Sequence, residues 1–163
     1  MNAEIPPMWR EELWHPLLVH LPIATLLLAS LAATLSLVVK HLFLKQMIYA
    51  MLAIGVLSGW IAIYTGELAY SIEVRKICEP NALQEHQWWA YATLIVYSVA
   101  FGLMTSSKII SHNYLSAIKS VSLFLIIMAL FGLFYTGHLG ASLVYQQGAG
   151  TYKPSADCSE FVK

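Results

Sequence analysis

Charge is what this chain has least of. Of its 163 residues, 11% are charged and 58% hydrophobic, and the mean hydropathy is +0.64. A soluble domain of this length carries roughly twice that charge fraction, which argues against an ordinary water-soluble fold. With a formal net charge of zero there is no basic surplus to hold a phosphate backbone, so no nucleic-acid partner is expected. Asp, Glu, Lys and Arg are missing altogether from four runs: Pro16–Val39, Gln46–Gly66, Gln87–Ser107 and Ser120–Tyr152. Each run is long enough to cross a hydrocarbon core of about 30 Å, which takes about 20 helical residues. The first run has Glu11 and Glu12 before it and no basic n-region, which excludes a cleaved signal peptide. Cysteine is nearly absent too, with only Cys78 and Cys158. No internal repeat is evident.

These absences predict an all-α integral membrane protein of one domain, spanning residues 1–163. The expected helices cover about 16–39, 45–70, 83–107 and 117–145. Short connections make consecutive helices antiparallel neighbours, giving an up-down-up-down four-helix bundle surrounded by membrane lipid. The few charges are unevenly placed. The connections after the first and third helices carry Lys40, Lys45, Lys108 and Lys119 and no carboxylate, whereas all nine acidic residues fall on the other side. The lysine connections are therefore assigned to the cytoplasm, although a raw count of basic residues does not decide it. Both cysteines lie on the acidic side, where an oxidising compartment would let Cys78 and Cys158 form a disulfide. The expected location is a bacterial inner (plasma) membrane, with multiple spans and both termini in the periplasm.

What the chain does have is a set of histidines in costly places. The first run opens His15-Pro16-Leu17-Leu18-Val19-His20-Leu21-Pro22. Imidazole inside a membrane needs a hydrogen bond, a metal or a wet cavity. Pro22 leaves the carbonyl of Leu18 free and predicts a local bend. His15 and His20 are five residues apart and so point roughly 140° away from each other on a regular helix. His86 opens the third helix and His138 lies near the end of the fourth, so antiparallel threading carries all four to one side. His41 and His112 belong to the lysine-bearing ends and are expected to be solvated.

Three ligands account for such a cluster. Zinc or copper needs three or four donors converging within about 2 Å of one point, which the divergence of His15 and His20 opposes. A proton relay would alternate histidines with carboxylates such as Glu67 and Glu85. Haem b needs two axial nitrogens from facing helices, space for a flat ring, and basic groups for its propionates. Two pairs drawn from His15, His20, His86 and His138, holding two haems b, match the third case. Arg10, with Arg75 and Lys76, lies on the side the propionates require. Gly55, Gly59 and Gly66 share one face of the second helix, which has no histidine in its span; they form either a flat bed for the macrocycle or a small-residue helix contact.

The motif His15-Pro-x-x-Val-His20-x-Pro22, with Thr136-Gly-His-Leu-Gly-Ala-x-Leu-Val-Tyr145-x-x-Gly148, resembles a widespread bacterial family of four-helix membrane proteins of unknown function. Leu21 stands where phenylalanine is usual. The resemblance covers nearly the whole chain and implies a shared role for the four histidines, but no reaction. The architecture is also similar to small di-haem b-type membrane cytochromes. That likeness implies electron transfer near the periplasmic face, with quinone, a periplasmic redox partner or superoxide as counterpart. If the chain is an enzyme, it is then an oxidoreductase. A zinc- or copper-binding transporter or chaperone, or a non-catalytic membrane subunit, would use the same histidines differently.

Overall fold

The structure, a computed structural model, describes residue 7, residues 9–107 and residues 112–152, without the side chains of 112 and 113. It is all-helical among these residues. The first span consists of α1 (Glu11–Leu18) and α2 (His20–Leu35); α3 (Leu42–Glu73), α4 (Pro80–Ser106) and α5 (His112–Tyr145) form the other three. Four helices are thus long and apolar enough to cross a membrane.

The first helix starts at Glu11, five residues ahead of the expected Pro16. Two acidic side chains in its first turn complement the positive end of the helix. Pro16 therefore lies inside α1, where it cannot donate to the Glu12 carbonyl. Pro22 likewise leaves Leu18 without a donor, and the ladder is interrupted at Val19, between α1 and α2. Val19 keeps helical dihedrals (φ −64°, ψ −22°), and its N–H donates to the His15 carbonyl at 3.0 Å. The first span is therefore one rod with a local fault next to the histidines.

The other helices start ahead of their expected limits, and two of those starts have a local cause. His41 caps α3, its ring nitrogen accepting from the N–H of Phe43 at 3.2 Å. Pro80 occupies the first turn of α4, where a missing N–H costs nothing.

The spans close into a ring in which α1 and α2 pack on α3, α3 on α4, α4 on α5, and α5 back on α2. Side-chain register shows that neighbours are antiparallel. Gly55 meets Thr25 and Leu26 while Gly66 meets His15; Gly132 meets Thr93 while Gly140 meets His86. The core sits toward the lysine-bearing end, where Ala29, Ala33, Leu52, Leu94, Tyr97, Ala100 and Ile126 are buried. Lipid offers apolar side chains no less favourable a home, so close packing and hydrogen bonds must hold this interior. Ser30 supplies one such bond, donating to the Leu26 carbonyl at 2.8 Å and lying 2.8 Å from the Tyr97 hydroxyl. Ser122 on α5 donates to the Ala100 carbonyl on α4 at 2.8 Å.

The expectation of no internal repeat needs correction, since Tyr64-Thr65-Gly66-x-Leu68 and Tyr135-Thr136-Gly137-x-Leu139 lie 71 positions apart, as do His15 and His86. The first two spans and the last two make the same contact, a histidine of the leading helix on a carbonyl and a glycine four residues apart on the following one. With the closed antiparallel ring, this relates the two halves by an approximate two-fold axis along the bundle.

Candidate functional site: a histidine pair across the bundle

His15 and His86 are the two candidates that meet. They come from diagonally opposite spans and are partly buried, with ring centroids 6.4 Å apart and planes 79° apart. His15 Nδ1 lies 2.9 Å from the Ala62 carbonyl on α3, and His86 Nδ1 lies 3.1 Å from the Thr136 carbonyl on α5. A carbonyl only accepts, so both Nδ1 atoms carry the proton and donate. In the neutral imidazole this leaves each Nε2 with a free lone pair. Metal-ligating histidines are oriented in this way, one nitrogen held by the protein and the other presented.

The helices approach closely here because two positions lack side chains. A Cβ at Gly66 would lie 3.1 Å from Cε1 and Nδ1 of His15, and one at Gly140 would lie 3.1 Å from Cε1 of His86. Gly66, one of the three glycines singled out in the sequence, lies against His15. Gly140, Ala62 and Thr136 were not expected. Gly140 was legible as a second glycine within the quoted motif, but the two carbonyls carry no side-chain signature.

The remaining candidates lie elsewhere. His20 is exposed, its Nδ1 3.3 Å from the Leu17 carbonyl of its own span, and His138 is exposed on α5. Neither joins the pair. Gly55 packs against Leu26 and Thr25, and Gly59 against Leu94, so both serve helix contact rather than an open bed. His41 is exposed, as expected. Cys78 is exposed at the acidic end; Cys158 lies outside the described residues, and so does the expected disulfide.

Arg10 precedes α1 and belongs to a charge cluster that closes the acidic end. Glu12, 7% exposed, accepts from Arg10 Nη1 and from Lys76 Nζ, both at 3.3 Å. Lys76 also donates to Glu73 Oε1 at 2.9 Å, and the Gly150 N–H donates to Glu73 Oε2 at 2.9 Å. This network ties α1, the end of α3 and the loop after α5 together. The hydrogen bond that Lys76 donates to Glu73 holds its ammonium above the ordinary lysine range. A cavity of about 300 Å³ opens beside it, lined by Arg10, Glu73, Lys76, Gln147, Gly150 and Tyr152 among others. The buried Nε of Arg10 has no hydrogen-bond partner among the described residues. Arg75 is exposed.

The family model described as "Predicted membrane protein (DUF2231)" matches residues 13–153, from just ahead of His15 to just beyond the loop after α5. The chain belongs to this family. The match takes in the whole histidine pair and both carbonyls that orient it. Comparison with curated proteins found no match, and comparison with solved structures found none.

Proposed function

We propose that this DUF2231 protein is a membrane b-type cytochrome that holds haem between His15 and His86 and carries electrons near the acidic, periplasmic end of the bundle. The observation that supports it is the paired imidazole geometry. With a metal–nitrogen bond of about 2 Å on each side and about 1.2 Å from nitrogen to ring centre, two imidazoles sharing one metal would place their centroids about 6.4 Å apart. The observed 6.4 Å agrees. Among the described residues no group of three or more His, Cys, Asp and Glu stands ready for a metal ion. Zinc or copper sites draw three or four donors from the protein, whereas haem brings four nitrogens of its own.

In this reading His15 and His86 would hold the haem iron through their free ring nitrogens, and the carbonyls of Ala62 and Thr136 would keep both rings in the required tautomer. Haem bound there would supply a one-electron couple. Arg10, whose Nε lacks a partner among the described residues, is the group for a propionate. The geometry favours one haem per chain over two, since His20 and His138 are exposed and do not join the pair. The counterpart inside the bilayer is a quinone, and the counterpart outside is a periplasmic donor or acceptor.

The test is the visible spectrum of detergent-purified protein grown with ample haem, oxidised and then dithionite-reduced. A Soret band with sharp reduced α and β bands is expected, at one haem per chain. His15→Ala and His86→Ala should each abolish it, while His20→Ala and His138→Ala should leave it intact. A featureless spectrum removes the cytochrome reading. Two haems per chain, one of them lost with His20→Ala, would replace the single centre with two.

A further inference from the structure

We propose that the lipid-facing side of the α3–α4 seam binds the head group of a lipid-soluble hydroquinone, with Glu67 and Tyr91 as its polar contacts. This rests on the cytochrome reading for its purpose, since it names where that centre's membrane partner docks. Glu67 follows Gly66, the glycine against which His15 lies, and is turned about 100° from it toward the seam. It is exposed on a helix otherwise fit to cross the membrane. It stands just past the charge-free run Gln46–Gly66, at the edge of the hydrocarbon, where its hydrogen-bond partners say what kind of ligand it suits.

Glu67 Oε1 accepts from Gln87 Nε2 at 2.7 Å and from the Tyr91 hydroxyl at 2.9 Å, both on α4. No bond to its other oxygen, Oε2, is seen among the described residues. One and two turns along the same face of α3 stand Tyr64 and Trp60, 65% and 41% exposed. Trp60 meets the Tyr91 ring edge-on at 6.3 Å and donates from Nε1 to Ser98 at 3.2 Å. The seam is thus walled by aromatic rings, with hydrogen-bonding groups at one end, open sideways to the bilayer.

The complementary ligand is flat, carries O–H donors and arrives through lipid. A hydroquinone ring fits between aromatic walls, one O–H donates to the free carboxylate oxygen, and a hydrocarbon tail remains among the acyl chains. A phospholipid head offers neither the planar ring nor, for phosphatidylcholine, a donor to Glu67. The other carboxylate–tyrosine contact, Tyr135 donating to Glu85 at 3.0 Å across the α4–α5 seam, serves as the control.

The experiment is equilibrium binding of a decyl-substituted benzohydroquinone to the full chain in quinone-free phosphatidylcholine nanodiscs. Saturable binding of about one per chain is expected, weakened about tenfold or more in Glu67→Gln and in Tyr91→Phe and unchanged in Glu85→Gln, as befits loss of a hydrogen bond to a charged group. Each variant's thermal unfolding is measured alongside, and Tyr91→Phe, which keeps the ring, reads the site should Glu67→Gln fold poorly. Absence of saturable binding, or equal affinity in both seam variants, overturns the proposal. The readout needs no haem. A colourless chain that binds through Glu67 keeps this site and loses the cytochrome; a haem-loaded chain indifferent to Glu67 and Tyr91 does the reverse.

Discussion

His15 and His20 differ by five positions, and that interval separates a partly buried ring paired with His86 from an exposed one. Helical rotation makes it certain that they diverge; it does not say which one faces inward. The answer is in the residues that share their faces. His15 lies in line with Pro22, Ala29 and Ala33, all buried, while His20 lies on the opposite side. His86 is aligned in the same way with Thr93, Tyr97 and Ala100, all buried. His138, next but one to Gly140, sits about 200° away from it and so turns outward. Half of the candidate set was therefore legible in the sequence, through small-residue stripes rather than through the histidines themselves. The backbone carbonyls that orient the rings were not, because any residue type supplies one. The two glycines yield a direct prediction. Gly66→Ala and Gly140→Ala should each press a methyl group on an imidazole at 3.1 Å and weaken haem retention several-fold, read as Soret absorbance after gel filtration. Gly102→Ala, with nothing within 4 Å, should leave the spectrum alone and add about 0.5–1 kcal/mol of helix stability.

Element boundaries were the less legible part. Charge-free runs locate the four spans because hydrocarbon rejects charge, but a helix extends past the hydrocarbon wherever its ends are satisfied. α3, with 32 residues, is about 48 Å long and projects beyond a core of about 30 Å. Its projecting end carries Glu73, and just past it comes Lys76; these two grip α1 through Glu12 and the loop after α5 through Gly150. A raised lysine value gives this grip a definite pH dependence. The folded value lies above the unfolded one, so the stabilisation is fully present below the ordinary lysine range and is lost as pH rises through the elevated value. Hydrogen exchange of α1 should accelerate at strongly alkaline pH, and Lys76→Met should produce the same acceleration at neutral pH and abolish the alkaline step. The side chain is 48% exposed, so the effect is local opening rather than unfolding of the bundle.

At the scale of the whole molecule, an up-down-up-down bundle follows from four spans and short connections, and that much was readable beforehand. The approximate two-fold axis was readable only as a short repeat, Tyr64-Thr65-Gly66-x-Leu68 and Tyr135-Thr136-Gly137-x-Leu139, set at the 71-residue interval that also separates His15 from His86. In the contacts His15 with Ala62 and Gly66 corresponds to His86 with Thr136 and Gly140, about one helical turn away from the register of that repeat. The axis predicts that the connection between α3 and α4 is dispensable. Chains 1–78 and 79–163, co-expressed as separate polypeptides, should assemble in the membrane and recover the spectrum of the intact protein. Either fragment alone should remain colourless, since each carries only one of the two imidazoles.

The symmetry also bears on ancestry. A two-helix hairpin carrying one histidine and the carbonyl that orients it holds half of the imidazole pair, and such a hairpin would gain the other half by meeting a copy of itself. Fusing two such hairpins end to end would remove the dependence on concentration, and afterwards each half would be free to diverge. Glu67 and Tyr91 have no carboxylate–tyrosine counterpart in the other half, since His138 and His20 stand at the corresponding positions of the 71-residue repeat. In that history the histidine pair is inherited from the dimer, and the α3–α4 seam is an acquisition that only a fused, asymmetric chain could make.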